Sequence, residues 1–92
     1  MDEKMKEVFG LVLIELEKAK KKHPGFPAAY SVQCMTIGEE YGELCQAVND
    51  FMNCIEGATR EHILEEAAHV AVTSLRTIEH LLKQKEQDGN EW

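Results

Sequence analysis

Ile37-Gly38-Glu39-Glu40-Tyr41-Gly42-Glu43-Leu44-Cys45-Gln46-Ala47-Val48-Asn49-Asp50-Phe51 is the stretch that decides how this chain folds. Ile37, Leu44, Ala47 and Phe51 recur at three-, four- and seven-residue steps, the period of one helical face. With Glu40 taken as reference and about 100° per residue, Leu44 lies near 40°, Ala47 near 340°, Phe51 near 20° and Ile37 near 60°. Glu43 lies near about 300° on the same wheel. Glu40 and Glu43 therefore continue the stripe that the apolar residues mark for burial. Surface glutamates avoid such a stripe, because burying an unpaired carboxylate costs on the order of several kcal/mol. A cation or a proton between the carboxylates removes that cost.

A second cluster follows at Glu65-Glu66-Ala67-Ala68-His69. Glu66 and His69 are three apart and share a helix face, as Glu40 and Glu43 do. Two such pairs facing one another put three carboxylates and an imidazole around one point, which is the donor set of a metal site. His62 extends the second row to His-x-x-x-Glu-x-x-His, a spacing that also suits zinc or another transition metal. The row lacks the His-Glu-x-x-His order of metalloproteases. Taken alone it has plain alternatives: carboxylates favoured by the start of a helix, and a histidine bonded to a carbonyl or a neighbouring glutamate. His23 and His80 carry no pattern that reads as a site.

Upstream, Met5, Val8, Phe9, Val12, Leu16 and Ala19 define an amphipathic helix from about residue 3 to about 22. Its last turn holds Lys18, Lys20, Lys21 and Lys22, which oppose the negative end of the helix dipole. The sharper alternative is that some of these lysines reach a ligand phosphate. Lys21 and Lys22, with Phe26 of the following loop, are the substrate-binding candidates. His23-Pro24-Gly25-Phe26-Pro27 is the clear helix breaker. Ser31 is then the expected N-cap of a second helix reaching about Asn53.

Gly57 interrupts again, and Thr59 is the expected N-cap of a third helix from Arg60 to about Lys85. Ile63, Ala67, Val70, Ala71, Ile78 and Leu81 form its apolar arc, widened by Leu64, Leu75 and Leu82. An arc that broad on a short protein predicts a second contact surface, between subunits. From Gln84 to Trp92 the composition turns polar, and a mobile tail is expected.

At 92 residues and 10.4 kDa the chain is one small domain with a modest core. A net charge of −7 argues against DNA or RNA as a partner, where a basic face is the usual footprint. Cys34, Cys45 and Cys54 form no Cys-x-x-Cys pair, and each is expected as a small buried or half-buried hydrophobe in a reducing compartment. The longest apolar run, Leu11 to Ile14, cannot span a membrane. A cytoplasmic location is the expectation.

The two clusters together resemble the signature of the MazG-like all-α nucleoside triphosphate pyrophosphohydrolases, E-E-x-x-E on one helix and E-x-x-D on the next. Here the chain reads E-E-Y-G-E at 39 to 43 and E-A-A-H at 66 to 69. The resemblance also covers element order over about residues 3–83: a helix, a Pro/Gly loop, the E-E-x-x-E helix, a turn and a long third helix. It implies a three-helix protomer over residues 1–92 that assembles by oligomerisation, as a homodimer or a dimer of dimers, into a helical bundle. It further implies that Mg²⁺ binds a nucleoside triphosphate and that water cleaves it to the monophosphate and pyrophosphate. Glu40, Glu43 and Glu66 then correspond to metal ligands. Glu39 corresponds to the first glutamate of the motif, which binds a second metal or orients the attacking water. His69 stands where the family has aspartate; imidazole is a poor ligand for Mg²⁺ and a better one for Mn²⁺, Fe²⁺ or Zn²⁺.

Two other readings stay open on the residues alone. One is a nucleotide-binding or interaction module that keeps the fold without the chemistry. The other is a redox di-metal site, since Glu-x-x-His facing further glutamates is the pattern of di-iron carboxylate bundles. A di-iron site needs that motif from two helices, which this chain supplies only across a dimer.

Overall fold

The computed structural model describes residues 1–89 and Trp92, and Asn90 and Glu91 lie outside the described residues. The described chain is all-helical: α1 spans Glu3–Lys22, α2 Tyr30–Met52 and α3 Arg60–Asp88. Among the described residues no helix is long and apolar enough to cross a membrane. The long third helix packs against both α1 and α2, which do not pack against each other.

Each helix starts and stops for local reasons. Asp2 caps α1 by accepting from the Met5 amide at 2.8 Å, and Lys4–Glu7 and Lys6–Glu3 pairs support its first turns. Thr59 caps α3 as expected, its hydroxyl accepting from the His62 amide at 3.1 Å. The cap expected at Ser31 is corrected: the N-cap is Ala29, two residues earlier, with no side-chain cap bond, and α2 begins at Tyr30. The Gln33 side chain fixes the loop that enters the helix, its amide donating at 2.6 Å to the carbonyl of Pro27.

The end of α2 is a Schellman turn. Cys54 adopts φ +55°, the Cys54 amide donates to Phe51 O at 3.2 Å, and the Ile55 amide donates to Asp50 O at 2.9 Å. A cysteine at this position faces solvent. Cys34 is exposed as well, and only Cys45 is half-buried, so the expectation of three sheltered cysteines is corrected for two of them. Cys34 lies near about 120° on the wheel of α2, away from the buried stripe.

α3 continues three residues past the Lys85 expected as its end, and stops at Gly89, whose φ is +65°. Gln84, Lys85, Glu86 and Gln87 are good helix formers, and Gly89 is the first breaker after them. The Tyr30 hydroxyl also donates to the Gln84 side chain, tying this turn to the start of α2. Residues 84–88 belong to α3; the part of the expected tail at Asn90 and Glu91 lies outside the described residues.

Packing inside the protomer is unusually polar. Ala47, Ala68 and Val72 are the buried apolar residues, and Gln33, Glu66, Thr73 and Arg76 are buried beside them. On α1 no residue is fully buried. Arg76 lies over the Phe26 ring at 4.8 Å and donates to the His23 carbonyl at 2.8 Å. Together Gln33 and Arg76 pin the whole 23–29 loop to α3 and so set how α1 returns along it. Meanwhile Leu13, Ile14, Ile78 and Leu82 are exposed. The accessible surface is 7054 Å², against about 5,400 Å² for a compact monomer of this mass. The radius of gyration is 15.6 Å, where a compact chain of this length gives about 12 Å.

Candidate metal centre

Glu40 on α2 and Glu66 and His69 on α3 meet across the α2–α3 contact. One donor atom from each lies within 4.8 Å of the others. His69 Nδ1 is 3.7 Å from Glu66 Oε2 and 3.9 Å from Glu40 Oε2. On the other side of Glu66, Oε1 lies 3.9 Å from His62 Nε2. These separations are longer than hydrogen bonds. Two donors each about 2.1 Å from a shared cation sit about 3.0 to 3.4 Å apart, so the trio would have to close in from its present separations, all within 4.8 Å, to share one ion.

The donor set fits such an ion for a second reason. Glu40 Oε2 and Glu66 Oε2 are both buried without a hydrogen-bond partner among the described residues, and the Glu66 side chain is only 9 % exposed. Buried carboxylate oxygens of this kind are costly until something positive meets them. Burial, ahead of the nearby Glu43 and Glu66 charges, pushes the Glu40 carboxyl above its ordinary range; His69 partly offsets this, and a hydrogen bond with Glu43 adds to the rise.

The remaining residues singled out in the sequence are spread around this point. Glu43 is exposed; it borders Glu40 but stands outside the close trio. The wheel explains its place. Gln33 and Ala47, the two buried residues of α2, bracket Glu40, whereas Glu43 lies about 60° off it, at the rim. Glu39 is exposed on the side beyond Glu43. Beside the trio is a cavity of about 390 Å³ lined by Glu15, Lys18, Lys22, Glu40, Glu65 and His69, among others. Lys22 is thus at the site and Lys18 joins it, while Lys21 is not among the lining residues. Phe26 lines a different cavity with Lys20, Arg76, His80 and Lys83. His80 gains a structural role there: its Nδ1 lies 2.6 Å from Gln33 Nε2.

Sequence reasoning missed Glu15. Its Oε2 lies 3.9 Å from His69 Nε2, and its side chain is 23 % exposed. The signal was present, since Glu15 stands three after Val12 and four before Ala19, on the apolar stripe of α1. The same test that singles out Glu40 finds it.

The chain matches no family model, no curated protein and no solved structure.

Proposed function

We propose that this protein is a metal-dependent nucleoside triphosphate pyrophosphohydrolase. The carrying observation is the pair of buried, unpartnered carboxylate oxygens of Glu40 and Glu66, aimed with His69 at one point beside a cavity with lysines at its edge. Glu40, Glu66 and His69 would hold a divalent cation, with Glu43 near enough to Glu40 to join after a side-chain rotation. When bound, such an ion offsets phosphate charge and lowers the pKa of a water it holds. The resemblance of the E-E-Y-G-E and E-A-A-H motifs to the MazG-like signature supports the same reading and supplies the reaction class.

The protein's own side chains have separable tasks. Lys18 and Lys22 meet the negative oxygens of the triphosphate, which a chain of net charge −7 would otherwise repel. Glu39, exposed and one residue before Glu40 in the chain, would orient the attacking water or bind a second cation, and the proton released by that water passes to solvent. Water adds to the α-phosphorus, the bond from that phosphorus to the bridging oxygen breaks, and pyrophosphate departs, leaving the monophosphate.

A homodimer belongs to this proposal. The surface in excess of a compact monomer is about 1,600 Å² per protomer, and two protomers sharing it would bury about 3,000 Å², the range of obligate dimers. Leu13, Leu16, Leu75, Ile78 and Leu82 line one apolar groove between α1 and α3 that could supply part of that contact.

The test is pyrophosphate release from a panel of NTPs and dNTPs, with Mg²⁺ and separately with Mn²⁺, using Glu40→Gln as control. Release by the wild type that is lost in the folded variant supports the enzyme. Folded protein that binds nucleotide but releases nothing with either metal replaces it with a binding module. Light scattering on the same sample reports the oligomer.

A further inference from the structure

α1 brings to the trio a carboxylate that neither α2 nor α3 supplies. The two ring nitrogens of His69 face opposite ways: Nδ1 toward Glu66 Oε2 and Glu40 Oε2, at 3.7 and 3.9 Å, and Nε2 toward Glu15 Oε2 at 3.9 Å. An imidazole that binds a metal does so through the nitrogen without a proton. Its other nitrogen then carries the proton and donates it, in most metal sites to a carboxylate or a carbonyl. His69 has one nitrogen aimed at unpartnered carboxylates and the other at a third carboxylate, the layout this division of labour requires. Glu15 is itself steadied by Lys18, whose Nζ lies 3.2 Å from Glu15 Oε1.

We propose that Glu15 is a positioning residue that holds His69 with its proton on Nε2 and its Nδ1 lone pair facing the metal, so that the centre is a two-carboxylate, one-imidazole site selective for Mn²⁺, Fe²⁺ or Zn²⁺ over Mg²⁺. The inference rests on the metal-dependent reading of this site given above. It stands on two independent observations, the opposed ring nitrogens and the nine-tenths-buried Glu66 side chain whose orphan Oε2 points at Nδ1. A nitrogen donor favours these borderline ions, whereas Mg²⁺ holds oxygen ligands and keeps its waters. A carboxylate behind the imidazole raises the basicity of the coordinating nitrogen and fixes the ring, and loss of such a partner typically weakens metal binding by about 10- to 100-fold.

The experiment uses the full chain and the metal ions alone, without nucleotide. Calorimetric titration with MnCl₂ and with MgCl₂ is run on wild type, Glu15→Ala, Glu15→Gln and His69→Asp. Pulsed EPR of the Mn²⁺-loaded proteins reads imidazole nitrogen directly. Glu15→Ala should weaken Mn²⁺ about 10- to 100-fold while leaving Mg²⁺ within about threefold. Glu15→Gln, which keeps an acceptor oxygen, should lose less. Wild type should show one imidazole nitrogen coupled to Mn²⁺, and His69→Asp should abolish it. Mn²⁺ affinity unchanged in Glu15→Ala overturns the proposal, and so does a wild-type spectrum without nitrogen coupling, which needs no variant to fold. A nitrogen-coupled, Glu15-dependent Mn²⁺ centre in a protein that releases no pyrophosphate would keep this inference and remove the pyrophosphohydrolase reading. Pyrophosphate release with a metal that shows no nitrogen coupling would do the reverse.

Discussion

Glu40→Gln should stabilise the metal-free protein even as it abolishes pyrophosphate release. The Glu40 side chain is 26 % exposed, its Oε2 is buried without a partner, and the Glu43 and Glu66 charges face it. Burial, chiefly, raises its folded pKa above the ordinary 4.5, so ionising Glu40 costs the folded state more than the unfolded one. The sign follows. Its contribution to stability is fully present below the unfolded value and is lost as pH rises through the folded one, so at neutral pH Glu40 weakens the fold. Glutamine has nearly the same shape and no charge, and its amide can donate to Glu66. The gain should be about 1 kcal/mol, the low end for an unsatisfied buried polar group. In a domain of this size that is a rise in Tm of about 4–8 °C.

Thermal melts followed by circular dichroism, in EDTA at pH 7.5 and at one fixed protein concentration, measure it. The gap should close as the pH falls through the raised folded value of Glu40 and on toward the ordinary 4.5 of the unfolded chain. Mn²⁺ should reverse the order, since a ligand at 100 times its Kd stabilises the wild type by about 2.7 kcal/mol. A Glu40→Gln protein that melts at or below the wild type in EDTA at pH 7.5 would refute the reasoning, because Glu40 would then be a satisfied structural carboxylate.

His69→Asp should shift metal preference toward Mg²⁺, read as the ratio of pyrophosphate release in Mg²⁺ to that in Mn²⁺; a fall in that ratio would show that the histidine does not set it. Gln33→Leu leaves the Pro27 carbonyl and His80 Nδ1 without their shared donor. The loss should be about 3 kcal/mol, seen as a lower urea midpoint at constant slope. Cys54→Gly relieves a side chain held at φ +55° and should stabilise by about 0.5–1 kcal/mol in the same denaturation assay.

The three helices were legible because their signals are local. Apolar periodicity, the Pro/Gly loop, Thr59 and Gly57 act within a few residues of one another, and the structure keeps each of them. The misplaced boundaries have local causes too. Ser31 falls inside the first turn of α2, which starts after Ala29, and α3 ran on to Asp88 because no breaker precedes Gly89. Glu40, Glu66 and His69 could be read as one cluster because each lies on the face its own helix buries or half-buries. Glu43 shares their helix face in the sequence and stands outside the close trio in the structure; the wheel fixes its angle but not the width of the buried strip, which depends on how closely α3 approaches.

The sequence by itself determined the helices, the cap at Thr59, and which carboxylates sit on faces marked for burial. Hydrogen bonds from each residue to its neighbour one turn away, and a rotation of about 100° per residue, are properties of a segment alone. Only the tertiary structure decided that Glu15 reaches His69, that Lys18 and Lys22 rather than Lys21 border the cavity, and that Phe26 stacks on Arg76 in another one. Those pairings depend on the angle and depth at which α1 returns along α3. Buried contacts of Gln33 and Arg76 with the connecting loop set both, and no spacing within one helix encodes them.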